Sequence, residues 1–144
     1  MNLKQVISIL VLVVFSHSAF GQIDTTKTFV EVILPQYKGG EQALLKLITD
    51  SMVYPKLALE DRVGGIVITQ FTIDTLGNVI NIEIFRGIRD DIDTEAKRLV
   101  GLLNGWTPGK QKDGKKVQVR YNLPIFFYPD EKFKRKYKRK HNIP

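Results

Sequence analysis

The side chains most suited to chemistry are four carboxylates within six residues, Asp90, Asp91, Asp93 and Glu95. Closely spaced acids can bind a cation or act as general acid and base. They also suit the first turn of a helix, where the helix dipole favours negative charge. No histidine lies near them, because the two histidines of the chain are close to its ends. The spacing therefore favours a helix start, and we expect no enzyme, no metal site and no cofactor.

Two glycine pairs, Gly39-Gly40 and Gly64-Gly65, could suggest phosphate binding. Neither is followed by the Lys-Ser/Thr of a P-loop, so both are interpreted as turns. The sequence contains no cysteine. This excludes disulfides, thiolate metal sites, a cysteine nucleophile and a lipidated N-terminal cysteine.

The net charge of +7 is concentrated at the C-terminus, because residues 130–144 carry seven Lys/Arg and two acidic residues. This basic tail interleaves Phe133 and Tyr137 with cations, as nucleic-acid or membrane binders can. If the chain is exported, the tail would meet an anionic envelope surface rather than nucleic acid, and we expect no nucleic-acid partner. A merely solvated tail is the simpler interpretation.

The N-terminus has the pattern of a secretory signal peptide. Lys4 precedes the mainly apolar run Val6–Phe15, and small residues at Ala19 and Gly21 fit cleavage before Gln22. A membrane span needs about 20 apolar residues, roughly twice this run. We expect a signal peptide over residues 1–21 and a product in the periplasm or cell envelope. An uncleaved inner-membrane anchor is the less favoured alternative.

Apolar periodicity predicts helices and strands in a defined order. The predicted elements are helices over Glu41–Ser51 and Pro55–Asp61, strands over Ile66–Asp74 and Val79–Phe85, a helix capped by Asp90 or Asp91 that ends before Gly105, and a strand over Val117–Phe127. The apolar stripe of the first helix is Ala43, Leu44, Leu47 and Ile48, and that of the third is Ile92, Ala96, Leu99, Val100 and Leu103. Val30–Leu34 allows a further short strand, which Pro35 would end. Asp74–Asn78 is the loop of a hairpin between the first two strands.

The last strand has the clearest alternation in the chain. Its apolar residues occupy every second position from Val117 to Phe127, and Gln118, Arg120 and Asn122 lie between them. One buried and one solvated face is typical of an antiparallel sheet. Pro124 cannot donate a hydrogen bond to a neighbouring strand, which favours an edge strand or a bulge.

These elements predict an α+β domain with one small antiparallel sheet. The hairpin pairs strands one and two, and a helical crossover leads to strand three. We predict the strand order 2-1-3, with the helices packed on the apolar face. The domain should span residues 36–129, after a leader over residues 22–35 and before the basic tail over residues 130–144.

Taken in order, the motifs resemble the TonB C-terminal domain family over about Pro35–Tyr128. The matching elements are Tyr54-Pro55, Ala58, Gly65-x-Val67-x-Thr69-x-Phe71-x-Ile73-Asp74, Gly77-Asn78-Val79, the acidic helix start at Asp91–Glu95, Trp106-Thr107-Pro108-Gly109-Lys110, Gly114 and Val117-x-Val119-x-Tyr121. The stretches PQYKGGEQALLKLI and YNLPIFF are similar to the Bacteroidetes branch of the family.

The resemblance implies a periplasmic domain of an energy transducer for transmembrane transport. Such a domain grips the TonB box, an N-terminal segment of outer-membrane transporters, by adding it as a strand beside its last strand. The implied partner-binding residues are Val117, Gln118, Val119, Arg120, Tyr121, Asn122 and Leu123. Tyr54, Pro55 and Trp106 are expected to be structural residues close to the partner groove, with Trp106 in the core.

One departure from the family keeps an alternative open. Its transducers have a membrane helix and a long proline-rich spacer, whereas about 15 residues here separate the apolar run from the domain. That link spans at most roughly 50 Å when fully extended. The alternative is a general interaction or scaffold domain of the cell envelope, which reuses the fold without energy transduction. Exposed strand edges also allow a homodimer.

Overall fold

The computed structural model describes residues 31–143. The expected signal peptide and residues 22–30 of the expected leader lie outside the described residues. The elements are β1 (Val32–Ile33), β2 (Gln36–Tyr37), α1 (Gly40–Ser51), α2 (Lys56–Glu60), β3 (Gly65–Ile73), β4 (Val79–Arg86), α3 (Asp90–Gly101), β5 (Trp106–Thr107), β6 (Gly109–Gln111), β7 (Lys116–Val117), β8 (Val119–Phe127) and α4 (Glu131–His141).

The central sheet has the order β4-β3-β8, and both pairs are antiparallel. The α+β fold class and the 2-1-3 order are therefore confirmed. β3 pairs with β8 without a register shift, from Gly65 opposite Phe127 to Ile73 opposite Val119. Every second residue of β3 is buried and those between are half-buried. One face of the sheet thus forms the base of the core.

Three helices add core residues on that face. α1 contributes Leu44 and Ile48, and α2 contributes Ala58. The apolar stripe predicted for the third helix is fully buried; its members are Ile92, Ala96, Leu99, Val100 and Leu103. A spacing of three and four residues puts these side chains on one helix face, and their burial stabilises the domain in proportion to the apolar area removed from water.

The start of α3 differs from the prediction. Neither Asp90 nor Asp91 is the N-cap; Arg89 holds that position and caps with no side-chain hydrogen bond. Asp93 instead accepts a hydrogen bond from the backbone N–H of Ile88, at 3.0 Å. Acidic residues of the first turn therefore stabilise the loop that leads into the helix, and they also interact favourably with the helix dipole.

The last predicted strand is interrupted at Gln118. β7 pairs with β6, and only β8 pairs with β3. Two minor sheets complete the fold, one with the order β1-β6-β7 and one formed by β2 and β5. β1 lies in the segment expected as leader, and Val32 is opposite Gln111. Ordered structure therefore begins before residue 36.

The segment expected as a solvated tail forms the helix α4. The carboxylate of Asp130 accepts the N–H of Phe133 at 2.7 Å, which caps the helix, and pairs with Arg62 at 2.5 Å. The ring of Tyr137 lies 5.6 Å from the ring of Tyr128. Composition suggested a tail because cations dominate this segment, but its aromatic residues recur at helical spacing.

Glu95 ties α3 to the end of α1 and is 8% exposed. Its carboxylate accepts the backbone N–H of Val53 at 2.8 Å and two hydrogen bonds from Arg98 at 2.7 Å. Arg98 also donates to the carbonyl of Ser51. Burial raises the pKa of Glu95, but the hydrogen bonds from Arg98 and Val53 outweigh it, and the pKa is below its ordinary value.

We expect Glu95→Gln to remove a pH-dependent part of the stability. A carboxyl whose pKa is lowered by folding stabilises the native state at pH values above its unfolded pKa of about 4.3. That stabilisation is lost as the pH falls through the pKa of the folded state. The difference in unfolding free energy between wild type and variant should therefore shrink between pH 7 and pH 3 in urea titrations. Asp50→Asn, at an exposed pair with Lys46, is the control and should have a small effect. If wild type and Glu95→Gln differ by the same unfolding free energy at pH 7 and at pH 3, the ionised Glu95 carboxylate does not stabilise the fold.

Candidate functional site

The carboxylates that first suggested chemistry do not form a site. Asp90 is exposed, Asp91 pairs with Arg89 at 2.8 Å, and Asp93 and Glu95 bind backbone N–H groups. Within residues 31–143, no group of three or more acidic or histidine side chains is placed to hold a metal ion. Over the same residues, no helix has both the length and the apolar character needed to cross a bilayer.

The outer edge of β8 presents unpaired backbone groups. The carbonyl of Leu123 points toward β3, because it accepts a hydrogen bond from the hydroxyl of Thr69 at 3.0 Å. Backbone groups alternate in direction along a strand. Those of Arg120, Asn122 and Phe126 therefore point away from β3, and no described strand pairs with this edge. The backbone of Pro124 is directed to the same open edge. Its lack of an N–H therefore removes no hydrogen bond between β8 and β3.

The other edge of the sheet is less regular. β4 has two register shifts against β3, and Asn81 within it has a φ of 53°. Bulges bend an edge strand and interrupt its ladder, so they hinder the addition of another strand. Between the two edges, β8 is the one suited to receive an extended segment.

A groove of about 840 Å³ runs beside the open edge of β8. Its base includes the aromatic rings of Tyr37, Trp106 and Tyr121. Leu44 and Leu45 of α1 form part of the facing wall. Exposed polar side chains also line the groove, such as Gln36, Lys38, Glu41, Thr107 and Asn122. A groove lined by apolar and aromatic side chains together with some polar ones is typical of a site for a peptide or small molecule.

The structure spreads the predicted partner-binding residues over three environments. Val117 already pairs with Gly109 of β6, and Gln118 lies between strands. Val119 and Arg120 begin the open β8 edge. Three of the predicted residues line the groove; they are Tyr121, Asn122 and Leu123.

Two of the three residues expected near the groove lie away from it. The hydroxyl of Tyr54 donates to the carbonyl of Val63 at 2.6 Å, and its ring packs edge-on against Phe127 at 6.0 Å. Burial raises the pKa of Tyr54 to about 12. Pro55 is the N-cap residue of α2. These two residues stabilise the connection between α1 and β3.

Trp106 is in the core and also lines the groove. It is 5% exposed, and its ring lies 5.2 Å from both Tyr37 and Tyr121 and 6.0 Å from Phe71. Tyr37 and Trp106 are opposite each other in the pairing of β2 with β5. Aromatic contacts of this kind add about 0.5–1.5 kcal/mol each beyond area burial. They hold the groove base rigid.

Sequence reasoning missed Tyr37, Leu45 and Phe126 as groove residues. Leu45 lies off the apolar stripe predicted for α1 and is 46% exposed. Phe126 occupies a position on the solvated face of β8 and is 39% exposed. For Leu45 and Phe126, the sequence does contain an indication, because each is an apolar residue at a position expected to face solvent.

Comparison with known proteins agrees with this architecture. The family model for the C-terminal region of the Gram-negative bacterial TonB protein matches residues 50–129. The chain belongs to this TonB C-terminal family. The match ends before α4 and begins after most of α1, so the groove wall formed by Leu44 and Leu45 lies outside it.

Solved structures of TonB C-terminal domains are similar to this chain. The solution structure of Helicobacter pylori TonB residues 179–285 is 21% identical, covers 62% of this chain and 80% of its own, and has a TM-score of 0.48. That of residues 194–285 is 22% identical, with coverages of 62% and 94% and a TM-score of 0.46. TonB2 of Vibrio anguillarum is 23% identical, with coverages of 77% and 94% and a TM-score of 0.35. No curated protein matches the chain.

TonB C-terminal domains are protein-interaction domains of energy transduction, not enzymes. Domains of this family act in the periplasm and interact with outer-membrane TonB-dependent transporters. An open strand edge beside an apolar groove fits a TonB domain, because it can recognise an extended protein segment without any catalytic group.

Proposed function

We propose that this TonB domain binds the TonB box of an outer-membrane transporter as an added strand on β8, and thereby couples energy to transport. The observation that carries the proposal is the regular open edge of β8 beside the groove. Main-chain hydrogen bonds would supply much of the affinity, and the groove would select side chains.

The open edge offers a fixed set of hydrogen-bonding positions to an added strand. Arg120, Asn122 and Phe126 each offer an outward N–H and carbonyl, and Pro124 offers a carbonyl alone. An incoming strand lies about 4.8 Å from β8, between its edge and the α1 side of the groove. Because side chains alternate along the peptide, every second one would enter the groove toward Leu44, Leu45 and Trp106. We expect apolar residues at those peptide positions.

Titration of transporter N-terminal peptides onto the protein tests this proposal. With ¹⁵N-labelled protein, amide shifts should concentrate on residues 119–126 and on the start of α1, including Leu45. The indole of the single tryptophan should shift as well, because Trp106 lies at the groove base. A control peptide with proline at alternate positions should not bind. Shifts confined to β4, or no binding at millimolar peptide, contradict the proposal.

The same titration distinguishes the alternative of a general envelope scaffold. A scaffold domain would bind through β8 or another surface but would not respond to TonB-box peptides. The homodimer also stays a prediction, since two copies could pair through their β8 edges. Peptide and second copy would then compete, and binding would weaken as protein concentration rises. Export to the periplasm and the Bacteroidetes branch remain predictions too.

A further inference from the structure

α4 has two distinct sides. Phe133, Tyr137 and His141 recur every four residues and stack on one another, with ring centroids 6.1 Å and 4.3 Å apart. This aromatic row continues into the domain, because Tyr128 lies 6.4 Å from Phe133 and 5.9 Å from Phe126. The helix is therefore attached to the end of β8 through aromatic contacts.

The attachment places α4 by the start of β3. Tyr137 and His141 line a small cavity of about 340 Å³ together with Ile66 and Ile68. These two isoleucines point away from the core, since they alternate with buried residues of β3. α4 thus lies by the second face of the sheet, and the groove residue Phe126 connects to it through ring contacts with Tyr128.

Beside the aromatic row, the solvent-exposed side of α4 carries a dense row of cations. These are Lys132, Arg135, Lys136, Arg139 and Lys140. Their spacing of three and four residues puts them along one side of the helix, over a length of about 12 Å. All five are exposed, and none makes an ion pair with another described residue. The acidic residues of this segment, Asp130 and Glu131, both lie at its start.

We propose that this cationic face of α4 docks the domain on an anionic phospholipid membrane surface. Five exposed cations along one side of a helix suit a surface of lipid phosphates, and each Lys or Arg near such a surface strengthens binding about fivefold. Nucleic acid is a poorer match, because binders of single strands stack bases on exposed aromatic rings. Here Phe133 and Tyr137 are half-buried against the domain.

This inference goes beyond strand addition and does not depend on it. A solvated tail would tether the domain loosely, whereas a helix fixed to the end of β8 would give it one orientation. The groove would then be held at a constant angle to the bilayer. A segment that emerges from a membrane-embedded protein would therefore meet the open edge of β8 in one fixed orientation.

Binding to vesicles tests the proposal with the full chain. Phosphatidylcholine vesicles with and without 25% phosphatidylglycerol would be titrated at low salt and at 0.5 M salt. The patch variant replaces Lys132, Arg135, Lys136, Arg139 and Lys140 with Gln. The matched control replaces Lys56, Lys97, Lys112, Lys115 and Lys116 with Gln, which removes the same charge from other exposed sites. Both keep the N-terminal apolar run, so its contribution cancels.

We expect wild type and control to bind anionic vesicles with similar affinity, and the patch variant to bind at least about 100-fold more weakly. Salt should abolish the difference, since screening is strong beyond a few ångströms at that concentration. Circular dichroism should show unchanged helix content, because the aromatic side of α4 is intact. Equal losses in patch and control variants would mean that only net charge matters, and would overturn the proposal.

A second measurement is independent of binding curves. Because the chain has no cysteine, Lys136→Cys provides a single site for a polarity-sensitive fluorophore, with Asp113→Cys as a distant comparison. Anionic vesicles should blue-shift the label at position 136 and not that at 113. An equal response at both positions, or an equal response of position 136 to duplex DNA at the same phosphate concentration, would rule out specific docking on a membrane.

Discussion

Trp106→Ala is expected to lower the free energy of unfolding by about 3–5 kcal/mol, as truncation of large core aromatics does. The ring contacts Tyr37, Phe71 and Tyr121. Removing it leaves a cavity between the central sheet and the β2–β5 pair. The loss should also open the base of the groove, so weaker peptide binding should accompany the loss of stability.

The measurement is urea unfolding followed by circular dichroism, because Trp106 is the only tryptophan and its fluorescence disappears in the variant. Trp106→Phe is the matched control. The indole N–H is buried without a hydrogen-bond partner among the described residues, so its removal leaves no partner unsatisfied. The control should therefore lose less than half as much stability. A Trp106→Ala protein that unfolds like wild type would show that the ring is not part of the core.

The parts of the fold that sequence could predict depend on local periodicity. The alternation in β3 and β8 and the stripe of α3 each follow from side-chain spacing within one element. The strand order followed from one hairpin and one helical crossover, because few connections satisfy both. The break at Gln118 was not visible, since the alternation of apolar residues continues across it.

The groove could not be predicted because distant segments form it. Tyr37 reaches its place through the pairing of β2 with β5, and Leu45 through the packing of α1 on the sheet. Neither the pairing of β2 with β5 nor the packing of α1 on the sheet can be recognised from side-chain spacing within a single segment. Glu95 was assigned to the helix dipole, but its hydrogen bond to Val53 spans 42 residues. Sequence spacing shows which residues share a face and not which distant backbone group meets them.

α4 shows a different limit. Its composition, with seven Lys/Arg, is typical of a solvated segment. Three rings at every fourth position and a capping Asp130 were nevertheless present in the same stretch. Charge density hid this pattern, although a strongly cationic helix can form when one side packs against a folded domain.

Arg120→Pro is expected to weaken binding of a TonB-box peptide at least about tenfold while the domain stays folded. The N–H of residue 120 points to the open edge, so proline removes a donor that only the peptide would use. Its ring also obstructs the approach of the added strand. The sheet should tolerate the change, since Pro124 already occupies an equivalent outward position in the same strand. Val119→Pro would instead remove a donor that points toward β3.

Arg120→Ala is the matched control, because it removes the same side chain and keeps the N–H. It should bind within about threefold of wild type, since the proposed affinity comes largely from the main chain. Pro124→Ala restores an edge donor and should bind at least as well as wild type. Affinities would come from calorimetric titration with one transporter peptide, and melting temperatures would verify each fold. If Arg120→Pro binds like Arg120→Ala, the peptide does not use the β8 edge, and strand addition at this site is wrong.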